Sequence, residues 1–406
     1  MVVNVLMVGF KNILISFFLS EFGRSMYLVS VTWALYQLTN EALYTGVLVG
    51  LGFLPGLVLN LFFGVIVDRF NRKKLSVLAN LVCTFSMLVL LFFFTIDRIN
   101  PWLIIVIHML LQVSGSLFRP AIQAFIAESF EKEHLPKIFS QSSSAAIIGG
   151  LVGASVGGLI ISFISVSSSM AIVTGSFAIA SISLFLVKSK VKEKKGVGKR
   201  NSIVKDMADG FIYIKNNKLL LGLFIIMLNG QLVFHTSLGF LSVYTVEYLL
   251  QSAAVYGLMD ATISLGGVVA GSLGTWWWRK SKNKIALYSL FIVLIGLLFV
   301  GIAPILPIAL SGIFLIGLGT TWIRVLLQSV QQIATDSEYH GRMASYRMIG
   351  NQGSVVISAP LIGWIATNFG ANYIYLILMI PISLCILYAI FHANQEQFMK
   401  ITNKAA

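Results

Sequence analysis

The feature that most constrains this chain is a train of twelve apolar runs, at residues 12–38, 43–67, 75–96, 101–126, 138–164, 168–188, 218–246, 253–278, 284–303, 306–333, 343–367 and 371–392. Each reaches the roughly 20 residues that an α-helix needs to cross the hydrocarbon core of a bilayer. One such run can be a buried helix of a soluble protein. Twelve in series exceed what an aqueous core can bury, and within lipid only helices or closed barrels satisfy the backbone. Composition agrees: 57% of the 406 residues are hydrophobic and 11% are charged, with a mean hydropathy of +0.88, against about 25% charged in soluble domains. The expected fold class is an all-α integral membrane protein with twelve transmembrane helices.

The net charge of +14 invites a nucleic-acid reading, which the placement of the charges refutes. Every Lys and Arg except Arg24, Arg98, Arg119 and Arg324 falls on one side, at Lys11 and around 69–74, 132–137, 188–218, 279–284, 342–347 and 400–404. Such a bias marks the cytoplasmic side and suits an anionic inner leaflet. A multi-pass cell-membrane protein with both termini in the cytoplasm is expected, with the lipid bilayer as its partner and no nucleic acid. The outward turns, at 39–42, 97–100, 166–167, 247–252, 304–305 and 368–370, are too short to fold as a domain. The first run lacks a charged region and a cleavage site ahead of it and reads as an uncleaved span. Cys83 and Cys385 lie in apolar runs and form neither a disulfide framework nor a metal spacing. The chain has no phosphate-cradling G-x-x-x-x-G-K-(S/T), no His/Glu zinc cluster and no nucleophile elbow, so nothing supports ATP use, a metal, a cofactor or an enzymatic activity.

One connection is long. Residues 188–217 begin with Lys188, Lys190, Lys192, Lys194, Lys195, Lys199 and Arg200, a solvated basic stretch, and continue into a segment patterned as an amphipathic helix on the inner surface. This divides the chain into a six-helix bundle at 1–190, a cytoplasmic linker at 191–217 and a second six-helix bundle at 218–406. Gly64-x-x-x-Asp68-Arg69 has an echo in Gly274-x-x-x-Trp278-Arg279, each between the second and third spans of its half. Two degenerate repeats of six helices are expected, with Trp278 in place of the acid.

The first copy is the informative one: Gly64-Val65-Ile66-Val67-Asp68-Arg69-Phe70-Asn71-Arg72-Lys73-Lys74. Gly64 permits close helix approach. Asp68 ends the second helix and can accept from the donor end of a neighbour. Asn71 tolerates a left-handed turn. Arg69, Arg72, Lys73 and Lys74 hold the loop in the cytoplasm. The stretch resembles the signature loop of the major facilitator superfamily, G-x-x-x-D-R-x-(G/N)-R-(K/R). The resemblance implies two pseudo-symmetric six-helix bundles that rock about a central cavity, and a latch role for Asp68 at their cytoplasmic ends.

Ionisable groups inside spans are costly and so are functional candidates. Glu21 and Arg24 share one helix face at i, i+3. They can couple protons, contact substrate, or form a static pair that fixes packing. Asp260 is the second proton candidate; its alternative is a polar contact at the outer mouth. Arg119 and Arg324 occupy equivalent spans of the two halves and can bind an anionic group, gate, or pair with an acid across the cavity. His108 and His235 read as packed or hydrogen-bonded imidazoles before they read as relays. Gln37, Asn60, Gln112, Asn229, Gln231, Gln328 and Gln352 can line a polar cavity or bond helix to helix.

The fifth span carries Gly149-x-x-x-Gly153-Ala154-x-x-Gly157-Gly158. It resembles the antiporter motif of drug-exporting superfamily members, with Ala154 where they have Pro; close packing without any bearing on direction is the alternative. Gly52-Phe53-Leu54-Pro55, Gly115-Ser116-Leu117-Phe118-Arg119-Pro120-Ala121 and Gly341-Arg342 with Ser345 resemble the macrolide-efflux and enterobactin-exporter subgroup. Those exporters often carry an Arg in the middle of the fourth helix, where this chain has Gln112; Arg119 lies two turns deeper on roughly the same face. The resemblance implies proton-driven antiport of a drug, siderophore or peptide by a monomer, with the proton gradient in place of a cofactor. An uptake symporter on the same fold, a lipid flippase and a non-transporting membrane sensor or scaffold are the competing readings.

Overall fold

The computed structural model describes residues 2–130, 134–187, 203–336 and 339–404, all essentially helical. In the first half, α1 is Val2–Thr39, α2 Ala42–Arg69, α3 Arg72–Thr95, α4 Pro101–Ser129, α5 Leu135–Phe163 and α6 Val166–Phe185. A short helix, α7 (Ile203–Asn216), leads into the second half. There α8 is Lys218–Gly239, α9 Leu241–Val243, α10 Ala253–Ser272, α11 Gly274–Ser281, α12 Ile285–Gly301, α13 Leu306–Ala334, α14 His340–Phe369, α15 Tyr373–Ala393 and α16 Glu396–Lys404. Among the described residues, twelve stretches are long and apolar enough to cross a membrane, and they follow the twelve expected runs.

Two runs depart from the expectation. The run at 218–246 is helical to Gly239 and then passes through α9 into a π turn over Tyr244–Tyr248. The run at 253–278 breaks at Leu273, so that Gly274–Ser281 forms the separate α11 and belongs with the ninth stretch, Gly274–Gly301.

Local chemistry sets most boundaries. Asn100, Ser165 and Asn217 accept backbone N–H bonds at the starts of α4, α6 and α8, as N-cap residues do. Asn40 and Asp97 take the left-handed backbone at two outward turns (φ 53 for each), which short polar side chains tolerate. Pro55, Pro120, Pro360 and Pro381 sit inside helices, where neighbouring helices stabilise the interrupted ladder.

By packing, the chain forms two units, Met1–Gly198 with Gln251–Leu258, and Lys199–Leu250 with Met259–Ala406. In the first, Met26, Tyr27, Leu35, Met87, Leu90, Leu111 and Phe177 build one buried cluster, and Ile13, Phe118, Phe125 and Leu184 build another. Hidden polar pairs tie the helices together: Ser20 with Asn80 (3.1 Å) and Ser30 with Ser169. The first turns of α10 join this unit, where Tyr256 meets Thr32 (2.7 Å) and stacks on Trp33. In the second unit, α10 and α13 touch at Gly266 and Gly317. In the first, α2 and α4 touch at Gly52, whose missing side chain leaves room for His108. Second and fourth spans thus meet at a glycine in both halves.

Large apolar side chains remain exposed along the outer helix faces, Phe85, Phe163, Ile357 and Phe391 among them. Such surface marks contact with membrane or partner in a protein of this composition.

The helix expected to lie on the inner surface exists as α7, but it is docked. Tyr213 stacks on Tyr339 (4.0 Å between centroids), its hydroxyl donates to Asp336 Oδ2 (3.0 Å), and Ile214 packs with Phe224 and Met343. Burial pushes the Tyr213 phenol above its ordinary range. Phe211 and Ile212 stay exposed on the same helix.

Candidate functional site

The first unit gathers three charges inside its spans. Glu21 and Arg24 stand one turn apart on α1, with Arg24 Nε 3.8 Å from Glu21 Oε2. From α4, Arg119 Nη2 donates to both carboxylate oxygens, at 3.1 and 3.3 Å. Arg119 therefore pairs with an acid of its own unit. Glu21 and Arg24 are mostly shielded, at 15% and 18% side-chain exposure, whereas Arg119 is 64% exposed.

Gly115 fixes this arrangement. A side chain there would collide with the Arg24 guanidinium, so the glycine is the notch in α4 that seats it. Arg24 Nε and Nη2 are buried and have no hydrogen-bond acceptor among the described residues. Further along α4 the residues Gln112, Ser116, Arg119 and Gln123 are all half-buried or exposed. Their spacing of four, three and four places them in one stripe. Pro120 lacks an N–H, which releases the carbonyl of Ser116 beside Arg119.

His108 is buried and stacks on Tyr27 (5.8 Å). Its Nδ1 and the Tyr27 hydroxyl lack partners among the described residues, so packing places this imidazole. In the second unit Asp260 is 5% exposed, and among the described residues it has no ion-pair or hydrogen-bond partner. Arg324 lies over the Phe234 ring (5.5 Å), with His235 edge-on to the same ring. Gln231 is half-buried on the same helix, α8. Gln331, absent from the sequence-based set, accepts from Arg347 at 2.8 Å.

In the signature loop, α2 continues through Asp68 to Arg69 before Phe70 ends it. The surroundings of Gly64 and the side chain of Asp68 fall outside what is described, and with them the expected close approach and cap. Asn71 is not left-handed. Its backbone is extended (φ −63, ψ 112) and its side chain accepts from Lys74 N at 3.0 Å, which makes it the N-cap of α3. Arg69 is exposed. Arg72 pairs with Glu128 at the end of α4, and Lys73 donates to the Phe185 carbonyl (2.6 Å) at the end of α6. A cation at a helix C-terminus is favourable. Glu128 was missed because an acid beside a basic loop is unremarkable in sequence.

The glycines of the fifth span serve close approach. Gly149 and Gly153 lie against the backbone of Phe18 and Phe22 on α1, Gly157 against Met26, and Gly158 against Gly257 in the first turns of α10. In the second loop, Trp278 is buried and its indole N–H donates to the Thr402 carbonyl of α16 (3.1 Å).

Residues 13–354 match the family model described as Major Facilitator Superfamily. The chain belongs to this superfamily. Its members are transporters and not enzymes. Macrolide efflux protein A of Streptococcus pyogenes is 23% identical over 368 residues, 86% of this chain and 87% of that protein. The multidrug efflux pump Tap of Mycolicibacterium fortuitum is 23% identical over 391 residues, covering 91% and 92%. The Staphyloferrin A transporter of Staphylococcus aureus is 22% identical over 391 residues, covering 95% and 96%. Two solved transporters share the fold at 11% identity. They are a bacterial homolog of the human lysosomal transporter Spinster (TM-score 0.73, covering 98% and 96%) and the nucleoside transporter NupG (TM-score 0.75, covering 96% and 100%). This Major Facilitator chain is thus a multi-pass membrane transporter of small molecules with efflux-pump relatives.

Proposed function

We propose that this transporter exports a small amphipathic compound in exchange for protons, by exposing one site alternately to the two sides of the membrane. Asp260 carries the exchanged proton. The observation behind this is a carboxyl group inside a span with no counter-charge among the described residues. An ionised group left so in a membrane interior costs several kcal/mol, and a proton or a cationic substrate removes that cost. Glu21 is the second proton candidate, and the Arg119 bond to it has to open before it can exchange. The direction of transport rests on the relatives named as efflux proteins. Both termini lie in the cytoplasm, on the charge bias of the loops.

Inside-out vesicles test the direction. With a labelled macrolide and a panel of hydrophobic dyes, acidifying the lumen should drive accumulation of at least one compound, and an uncoupler should abolish it. Accumulation only in right-side-out vesicles under external acid would mean uptake, as a symporter would give.

A further inference from the structure

The three-charge cluster of the first unit is out of balance. Two guanidiniums surround one carboxylate, which leaves a net positive charge at membrane depth. Unlike Asp260, the surplus sits on groups that do not lose their charge. The donors are also in surplus. Arg119 uses Nη2 on Glu21, while Arg24 Nε and Nη2 are buried with no acceptor among the described residues. Buried donors are normally matched, and a guanidinium fork matches a carboxylate best.

The Arg24 guanidinium occupies the space that Gly115 leaves open on α4. Arg119 lies on the Gln112–Ser116–Arg119–Gln123 stripe, while Val106 and Leu110 form an apolar exposed strip on another face of α4. Lipid suits the apolar strip and water suits the polar one, so Arg119 stands where a polar solute can arrive.

We propose that Arg24 and Arg119 form a seat for a carboxylate group of the transported compound, and that Glu21 fills this seat until the compound displaces it. The seat deepens the export reading and rests on it for its purpose, while binding itself requires no gradient. Competition follows from the geometry. Glu21 already takes the Arg119 bonds and lies within ion-pair distance of Arg24, so a second carboxylate must displace it from Arg119.

A matched probe pair tests this on the purified protein in detergent: dansyl-aminooctanoate and dansyl-aminooctanamide, which differ in the carboxylate alone. Binding is read from dansyl emission. Hydrogen bonds to charged groups contribute about 1.5–3 kcal/mol, so the acid should bind about tenfold or more tightly than the amide. Arg119→Gln, on an exposed side chain, should erase that preference, and Arg24→Gln should do the same. Glu21→Gln should tighten the acid and leave the amide unchanged. Size-exclusion profiles check folding; if Arg24→Gln does not fold, Arg119→Gln decides. Equal affinity for the two probes, no binding of either, a preference that survives Arg119→Gln, or a Glu21→Gln protein with unchanged acid affinity would each overturn the seat. Failure of proton-driven accumulation in vesicles would leave a positive result here intact and remove only the direction.

Discussion

Gly153→Ala is the sharpest probe of how the first unit is built. A side-chain carbon at Gly153 would lie 2.9 Å from both the Cα and the carbonyl carbon of Phe22 on α1, and nearer still to its oxygen. Non-bonded carbons rest at about 3.5–4.0 Å, so α1 and α5 have to part by about 0.6–1.1 Å. Both partners are backbone and neither can rotate away. Overpacking of this kind costs about 1–3 kcal/mol. For a unit of this size that corresponds to a drop of about 2–12 °C in the unfolding midpoint. The shift also carries Glu21 and Arg24, which flank Phe22 on α1, away from their seats. Gly175→Ala is the internal control, since nothing lies within 4 Å of a side chain there, and alanine favours a helix by about 1 kcal/mol. Thermal unfolding of the two purified variants, followed by size exclusion, measures the difference. If Gly153→Ala were as stable as Gly175→Ala, the close approach of α1 and α5 would be wrong.

Two further outcomes follow from the cytoplasmic side. Asp68→Asn is expected to leave the protein inserted at normal levels but to slow turnover; normal turnover in vesicles by a well-expressed variant would remove the latch role that the signature loop implies. Trp278→Phe keeps the ring but deletes the indole bond to the Thr402 carbonyl, a loss of about 1 kcal/mol. It should make α16 more open to limited proteolysis, and an unchanged cleavage rate would show that this bond does not hold the helix.

The twelve spans were legible because bilayer thickness imposes a length that apolar runs reveal directly. The break at Leu273 was not, although Gly271 and Gly274 flank it, since a run-length reading weighs apolarity and ignores the weak helix preference of glycine. Asn71 shows a different ambiguity. The same residue type suits a left-handed turn and an N-cap, and only the start of α3 at Arg72 decides for the cap. Glu21 with Arg24 could be read from their spacing of three. Their link to Arg119 could not, because the register of α4 against α1 is set by tertiary packing at Gly115. The serine and asparagine pairs Ser20–Asn80 and Ser30–Ser169 were invisible for the same reason.

Proton movement by Asp260 is the claim on which the transport account depends. The direct measurement uses proteoliposomes with a trapped pH-sensitive dye and an imposed gradient of a transported compound. The wild-type protein should move protons opposite to the compound. Asp260→Asn should still exchange labelled compound for unlabelled compound while the internal pH stays flat. Proton counter-movement of undiminished size in Asp260→Asn would contradict the account.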